Sequence, residues 1–195
     1  IIEMDYHNYL DVHLMTSLIN TPFSRPEYIK KYGIETSITQ PRFHHRHITK
    51  KLNKDISEFV TKTNSFSREE WLEGHQFRWL VIFGHYLGPT QFISRFLRKY
   101  YGISYKRFYT SLLDYIKANK DSFLGKEYYQ ILENMDGILQ NKRHWGIVIP
   151  EIAEINWSVD EATALKIALD YKSYEDNIRD FLINGFYGIV EDKIM

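Results

Sequence analysis

The segment Ser67–Gly88, SREEWLEGHQFRWLVIFGHYLG, decides how the chain folds. Ser67 and Glu70 form the S-x-x-E pattern of a capping box, in which each side chain satisfies a backbone N–H left open at a helix start. Gly88 followed by Pro89 closes the segment: glycine takes the left-handed position past the last turn, and proline cannot continue a helix. Turned at about 100° per residue, Leu72, Phe77, Leu80, Phe83 and Leu87 cover one broad side. Trp71, Trp79, Ile82 and Tyr86 cover much of the other. A helix that is apolar nearly all round is buried inside a domain. Its length of roughly 20 residues approaches that of a membrane span, but Glu69, Glu70, Glu73, His75, Arg78 and His85 argue against one. The expectation is a central, buried helix over 67–87. His75, Arg78 and His85 fall within one narrow stripe of it. With Trp71, Trp79 and Tyr86 they are the candidates for a substrate or domain contact. The competing reading is ordinary buried polar groups bonded to carbonyls or acids.

The chain has 195 residues, 44% of them apolar, which suits one domain or one domain with an appendage. Lys plus Arg equals Asp plus Glu at 25 each, so the net charge is zero. That balance argues against a nucleic-acid or anionic-membrane partner. Cysteine is absent, which excludes disulfides, a thiol nucleophile, a Cys-ligated zinc site and a Cys-bound iron–sulfur cluster within these residues. No signal peptide and no apolar run of membrane-span length occurs, which makes a cytoplasmic location the default. The chain opens on Ile1 without an initiator methionine, as a fragment of something longer would. The 15 Tyr, 12 Phe and 4 Trp read as core contacts ahead of an aromatic-lined cavity.

Around the central helix, residues 1–54 read as an extended and irregular segment with one short helix, 55–183 as a helical domain, and 184–195 as a loosely docked tail. Tyr9–Ser17 contains a short strand candidate. Arg25–Gly33 is the short helix, with proline in its first turn and glycine at its end. The basic run Arg42–His47 is a solvated loop before it is a metal site, and His44, His45 and His47 are only weak ligand candidates. Asp55–Thr63 is helix or strand; periodicity does not decide. Thr90–Tyr101 forms a helix with Phe92, Phe96 and Tyr100 on one side. Ser104–Asn119 forms another, with Phe108, Leu112, Tyr115 and Ile116 at helical spacing. Lys126–Leu139 comes next, weakened by Gly137. Gly146–Ile155 reads as an extended connector, because Pro150 denies it a place as a central strand. Ser158 and Glu161 make a second capping box that opens a long final helix from Val159 to about Ile183. The sum is a mainly α chain: an irregular helical bundle around the 67–87 helix, with a short extended N-terminal segment.

Two stretches, PEYIKKYGIET and TNSFSREEWLEGHQFRWLVIFGHYLGPTQFISRFLRKYYGISYKRFYTSLLDYI, resemble the region after the barrel in B12-binding-domain radical SAM proteins. The likeness runs from near Leu18 to near Ile116. It implies a parent with an upstream cobalamin-binding domain and a radical SAM barrel holding a [4Fe–4S] cluster and S-adenosylmethionine, which performs radical chemistry such as methyl transfer. The family's C-x-x-x-C-x-x-C motif cannot be in a chain without cysteine. Asp11-x-His13 matches only part of a cobalamin signature, since Thr16 stands where the glycine belongs. The resemblance therefore implies a C-terminal helical accessory domain that caps or shapes the substrate site and is non-catalytic alone. The alternatives are a stand-alone partner-binding scaffold and a small enzyme that uses His75 and His85 for acid–base work with Arg78 binding an anion.

Overall fold

The computed structural model describes residues 15–18, 20–39, 45, 57–142 and 146–191. These fall into two compact units, one from residues 15–76 with 131–162 and one from 77–130 with 163–191.

The first unit carries β-structure. Strands β1 (Thr16–Ser17), β2 (Glu35–Thr39) and β3 (Ser57–Lys62) form an antiparallel sheet in the order β1-β3-β2. Thr16 faces Phe59 and Thr36 faces Val60, with a register shift between Glu35 and Thr36. The segment that periodicity leaves undecided between helix and strand is thus a strand over Ser57–Lys62. Its β-branched residues Val60 and Thr61 are buried, and β2 and β1 supply the two edges it needs. Helix α1 (Pro26–Tyr32) has proline in its first turn and ends at Gly33 in the left-handed conformation, φ 59°. A Cβ at Gly33 would also strike Asn64 Oδ1, whose side chain donates to the Lys31 carbonyl at 3.1 Å.

Gly146–Ile155 is not an extended connector. Strands β4 (Ile147–Ile149) and β5 (Ala153–Trp157) make an antiparallel hairpin. Pro150 sits in the turn between them, where no ladder N–H is required of it. Gly146 has φ 137° and lies so close to the Asn156 amide that a Cβ would collide with it.

Helix α2 (Arg68–Val81) begins at the expected box: Glu70 N–H donates to Ser67 Oγ at 3.2 Å and Ser67 N–H donates to Glu70 Oε2 at 2.8 Å. It does not stay α-helical to residue 87. Ile82–Tyr86 forms a π turn, closed by Leu87 N–H on the Ile82 carbonyl at 2.9 Å. Trp79, Leu80 and Phe83 are fully buried, but Phe77 and Leu87 keep 36% and 38% of their surface exposed, so burial is not all round.

The second unit is helical. It holds α3 (Gln91–Tyr101) and α4 (Tyr105–Ala118), parts of α5 (Phe123–Leu139) and α6 (Val159–Leu169), and α7 (Tyr171–Glu191). Gly102 ends α3 with φ 70°, and Ser104 caps α4 by accepting from Arg107 N–H at 3.1 Å. Helix α5 starts three residues earlier than its pattern suggests. Ser122 Oγ accepts from Gly125 N–H, and Asn177 Oδ1 accepts from Leu124 N–H at 2.9 Å. The final helix is two helices. Asp170 accepts from Ser173 N–H at 3.2 Å and so starts a new helix inside a run that reads as continuous. That second helix continues to Glu191 in place of a loose tail, and Phe186 is buried against Phe108 and Phe181. The architecture is mainly α with two small sheets. No helix among the described residues is long and apolar enough to cross a membrane.

Candidate functional site

The π turn is the irregular feature of the chain's organising segment. Such turns occur mostly as single insertions in helices, frequently at functional sites. Here it places His85 in a buried polar cluster. His85 Nδ1 lies 2.9 Å from Tyr109 Oη. The same hydroxyl is 3.2 Å from Thr90 Oγ1 and 3.4 Å from Ser94 Oγ. His85 is 4% exposed, Tyr109 1%, and Thr90 and Ser94 0%. Tyr105 stands edge-on to the imidazole at 5.1 Å, and the Arg98 guanidinium lies over the Tyr105 ring at 4.7 Å. Gly84 makes this possible. Its carbonyl accepts from Thr90 N–H at 2.8 Å, and a Cβ there would sit 2.8 Å from Thr90 Oγ1. Burial pushes the Tyr109 hydroxyl up to about 12, against hydrogen bonds with Ser94 and Thr90 that pull the other way. Tyr109 therefore stays protonated across the neutral range, with its hydroxyl in hydrogen-bonding reach of His85 Nδ1.

The α-helical spacing that unites His75, Arg78 and His85 does not carry through the π turn, because the wider turn shifts the phase of the residues beyond it. His75 is buried in the first unit, its ring 4.3 Å from that of Trp71. Arg78 and Tyr86 are half-buried. Trp79 is wholly buried, donating to Thr163 Oγ1 at 3.0 Å and packing on Phe83 at 4.6 Å, as a core residue does.

Of the weak metal candidates, His44 and His47 lie outside the described residues, as do Asp11 and His13. His45 Nε2 is 3.1 Å from Glu161 Oε2, and its ring stands against Trp157 at 5.3 Å. Glu161 is also the acid of the second capping box. No group of three His, Asp or Glu able to hold a metal occurs among the described residues. With no cysteine in the chain, an iron–sulfur cluster has no thiolate ligand here.

Sequence reasoning does not single out Tyr109, Thr90 and Ser94. A signal is present: Thr90, Ser94 and Leu97 stand at i, i+4 and i+7 along α3, and all three are buried. The aromatic stripe on the same helix outweighs it.

The chain is similar to part of two larger methyltransferases, one of them named as a cobalamin-dependent radical SAM enzyme. The chain is 28% identical to the cobalamin-dependent radical SAM methyltransferase TokK of Streptomyces tokunonensis. It is 27% identical to the 2-(S-pantetheinyl)-carbapenam-3-carboxylate methyltransferase of Streptantibioticus cattleyicolor. Both matches cover 93% of this chain, so the likeness extends well past Ile116. The chain spans 28% of the length of each relative. No protein-family model matches it.

Proposed function

We propose that this chain is the helical accessory region of a cobalamin-dependent radical SAM methyltransferase. One observation carries the reading: the relatives match almost all of this chain, while the chain accounts for little more than a quarter of them. The lack of cysteine supports it, since cluster chemistry must then reside elsewhere in the parent. In that parent the barrel and its B12-binding domain are the partners. They supply radical generation from S-adenosylmethionine and methyl carriage by cobalamin. No step of that chemistry runs through these residues. Nucleic acid and membrane are not partners in this reading, and the parent works in the cytoplasm, where its reducing chemistry is sustained.

The role of this region is to shape and dry the substrate side of the site. The cluster of His85 and Tyr109 is suited to holding geometry. Its hydroxyls and imidazole stand within hydrogen-bonding distance of one another in a water-poor interior, with Ser94 also donating to the Gln91 carbonyl, and a satisfied buried network of this kind fixes the surrounding backbone. His75, Arg78 and Tyr86 are the proposed contacts from the same helical segment.

The test is analytical. The whole natural gene product is reconstituted anaerobically, and its iron, sulfide, cobalamin and S-adenosylmethionine consumption are measured beside those of the 195-residue chain. The expected result is a cluster, cobalamin and methyl transfer in the whole product and none in this chain. A stoichiometric cluster on the 195-residue chain, or a whole product with neither cluster nor cobalamin, overturns the reading.

A further inference from the structure

Helix α3 exposes what its pattern would have it bury. Phe92 is 77% exposed, Phe96 51% and Tyr100 55%. These three stand at i, i+4 and i+8, and Arg95 and Lys99 lie at i+3 and i+7 on the same side. Phe92, Phe96 and Leu97 of α3, with Leu182, Ile183 and Phe186 of α7, line an apolar groove of about 500 Å³. Both helices belong to the same compact unit.

The charge along the α3 side of the groove is one-sided in a chain whose net charge is zero. No acidic residue occurs between Glu73 and Asp114, a stretch that includes Arg95, Arg98, Lys99, Lys106 and Arg107. Leu182, Ile183 and Phe186, which line the other wall, come from a stretch, residues 181–190, that carries no charge at all. A second concave surface behaves differently. The polar cleft of about 590 Å³ between α4, α5 and α7 is lined by groups that already serve one another. Asn177 bonds both Leu124 N–H and Tyr115 Oη, and Asp176 pairs with Lys172.

We infer that the α3–α7 groove is the seat of an apolar, acid-flanked segment from the remainder of the parent polypeptide. The inference rests on the proposed function for the existence of that remainder. Three features favour this occupant. Contiguous exposed aromatics beside an apolar groove mark an interaction site. The groove is concave, which suits an inserted side chain or helix ridge better than a flat bilayer. The basic margin selects acidic flanks by charge complementarity. The relatives' length shows that such proteins contain more than twice as much chain again beyond the region matched.

The experiment uses the whole gene product with the photo-crosslinking residue p-benzoylphenylalanine in place of Phe92, and separately in place of Tyr171, which is exposed away from the groove at 62%. Irradiation of the Phe92 variant is expected to join it to one peptide of the same polypeptide outside these 195 residues, rich in apolar residues with Asp or Glu beside them. The Tyr171 variant is expected to give no such product. The double charge reversal Arg95→Glu, Lys99→Glu is expected to lower the cross-link yield several-fold, and an unchanged yield overturns the acidic chemistry assigned to the partner. Cross-links that join only two copies, cross-links only to added phosphatidylglycerol vesicles, or none at all overturn the docking. Iron and sulfide are counted in the same preparation. A full cluster without the cross-link sinks the docking and leaves the proposed function standing, whereas a cross-link without a cluster does the reverse.

Discussion

Helices α3 and α4 are consecutive in the chain and read alike in sequence, yet the structure uses them oppositely. In α4, Phe108, Leu112 and Ile116 are wholly buried. In α3, Phe92, Phe96 and Tyr100 face outward, and Thr90, Ser94 and Leu97 face in. Both helices satisfy the same spacing rule. Periodicity finds a face; it does not say what covers that face. The aromatic stripe of α4 is covered by this chain, through Phe108 against Phe181 and Phe186. The stripe of α3 awaits cover from elsewhere, and its buried side is polar because it is built around the Tyr109 hydroxyl.

That contrast can be broken first at Phe108. Phe108→Ala in the 195-residue chain is expected to cost about 3–5 kcal/mol, the range for removing a buried aromatic. Urea denaturation measures it, and a loss below about 1 kcal/mol would mean that α4 is not the packed partner of α7.

Tyr109→Phe is next. It leaves His85 Nδ1 and Thr90 Oγ1 without their shared hydroxyl, with an expected cost of about 1–3 kcal/mol at neutral pH. The sign with pH comes from burial, which raises the folded pKa above the ordinary value of 10.0 to about 12. The stability held by the protonated hydroxyl is complete below pH 10 and is lost as the pH rises through the folded value. Wild type should therefore lose more stability than Tyr109→Phe over that alkaline window, and the gap between them should narrow. Denaturation midpoints between pH 8 and 12 check this, with a constant gap as the contrary result.

The inner face of α3 gives a smaller effect. Ser94→Ala removes a hydroxyl that donates to the Gln91 carbonyl at 2.9 Å and lies against Tyr109 Oη. A loss of about 1 kcal/mol is expected. The smallest effect belongs to the outer face: Phe92→Ala should change the stability of this chain by less than about 0.5 kcal/mol, as exposed positions do. If thermal melts show Phe92→Ala costing as much as Phe108→Ala, α3 is covered within this chain and the contrast disappears.

The helices and their ends are legible because their signals are local. Ser67 with Glu70, Ser104, Gly33 and Gly102 act on neighbouring backbone groups, and each ends or begins a helix where expected. The hairpin at 147–157 escapes a sequence reading because Pro150 counts there as a strand residue, when it occupies a turn. The break at Asp170 escapes it because one carboxylate cap weighs little against a long apolar period, although it is enough to restart the helix. His85 is visible as a polar residue in an apolar helix. Its partners are not, since Thr90 and Ser94 are small and Tyr109 lies 24 positions away. The π turn, which sets where His85 points, leaves no periodic trace of its own.

We propose that this region serves methyl transfer in its parent without performing cofactor chemistry itself. The direct measurement is the ratio of methylated product to S-adenosylmethionine consumed by the whole gene product, with and without Tyr109→Phe. The variant is expected to keep its iron–sulfur cluster and cobalamin and still to consume S-adenosylmethionine, while the ratio of methylated product falls several-fold. Loss of the cluster or of S-adenosylmethionine consumption in the folded variant, or an unchanged ratio, would contradict it.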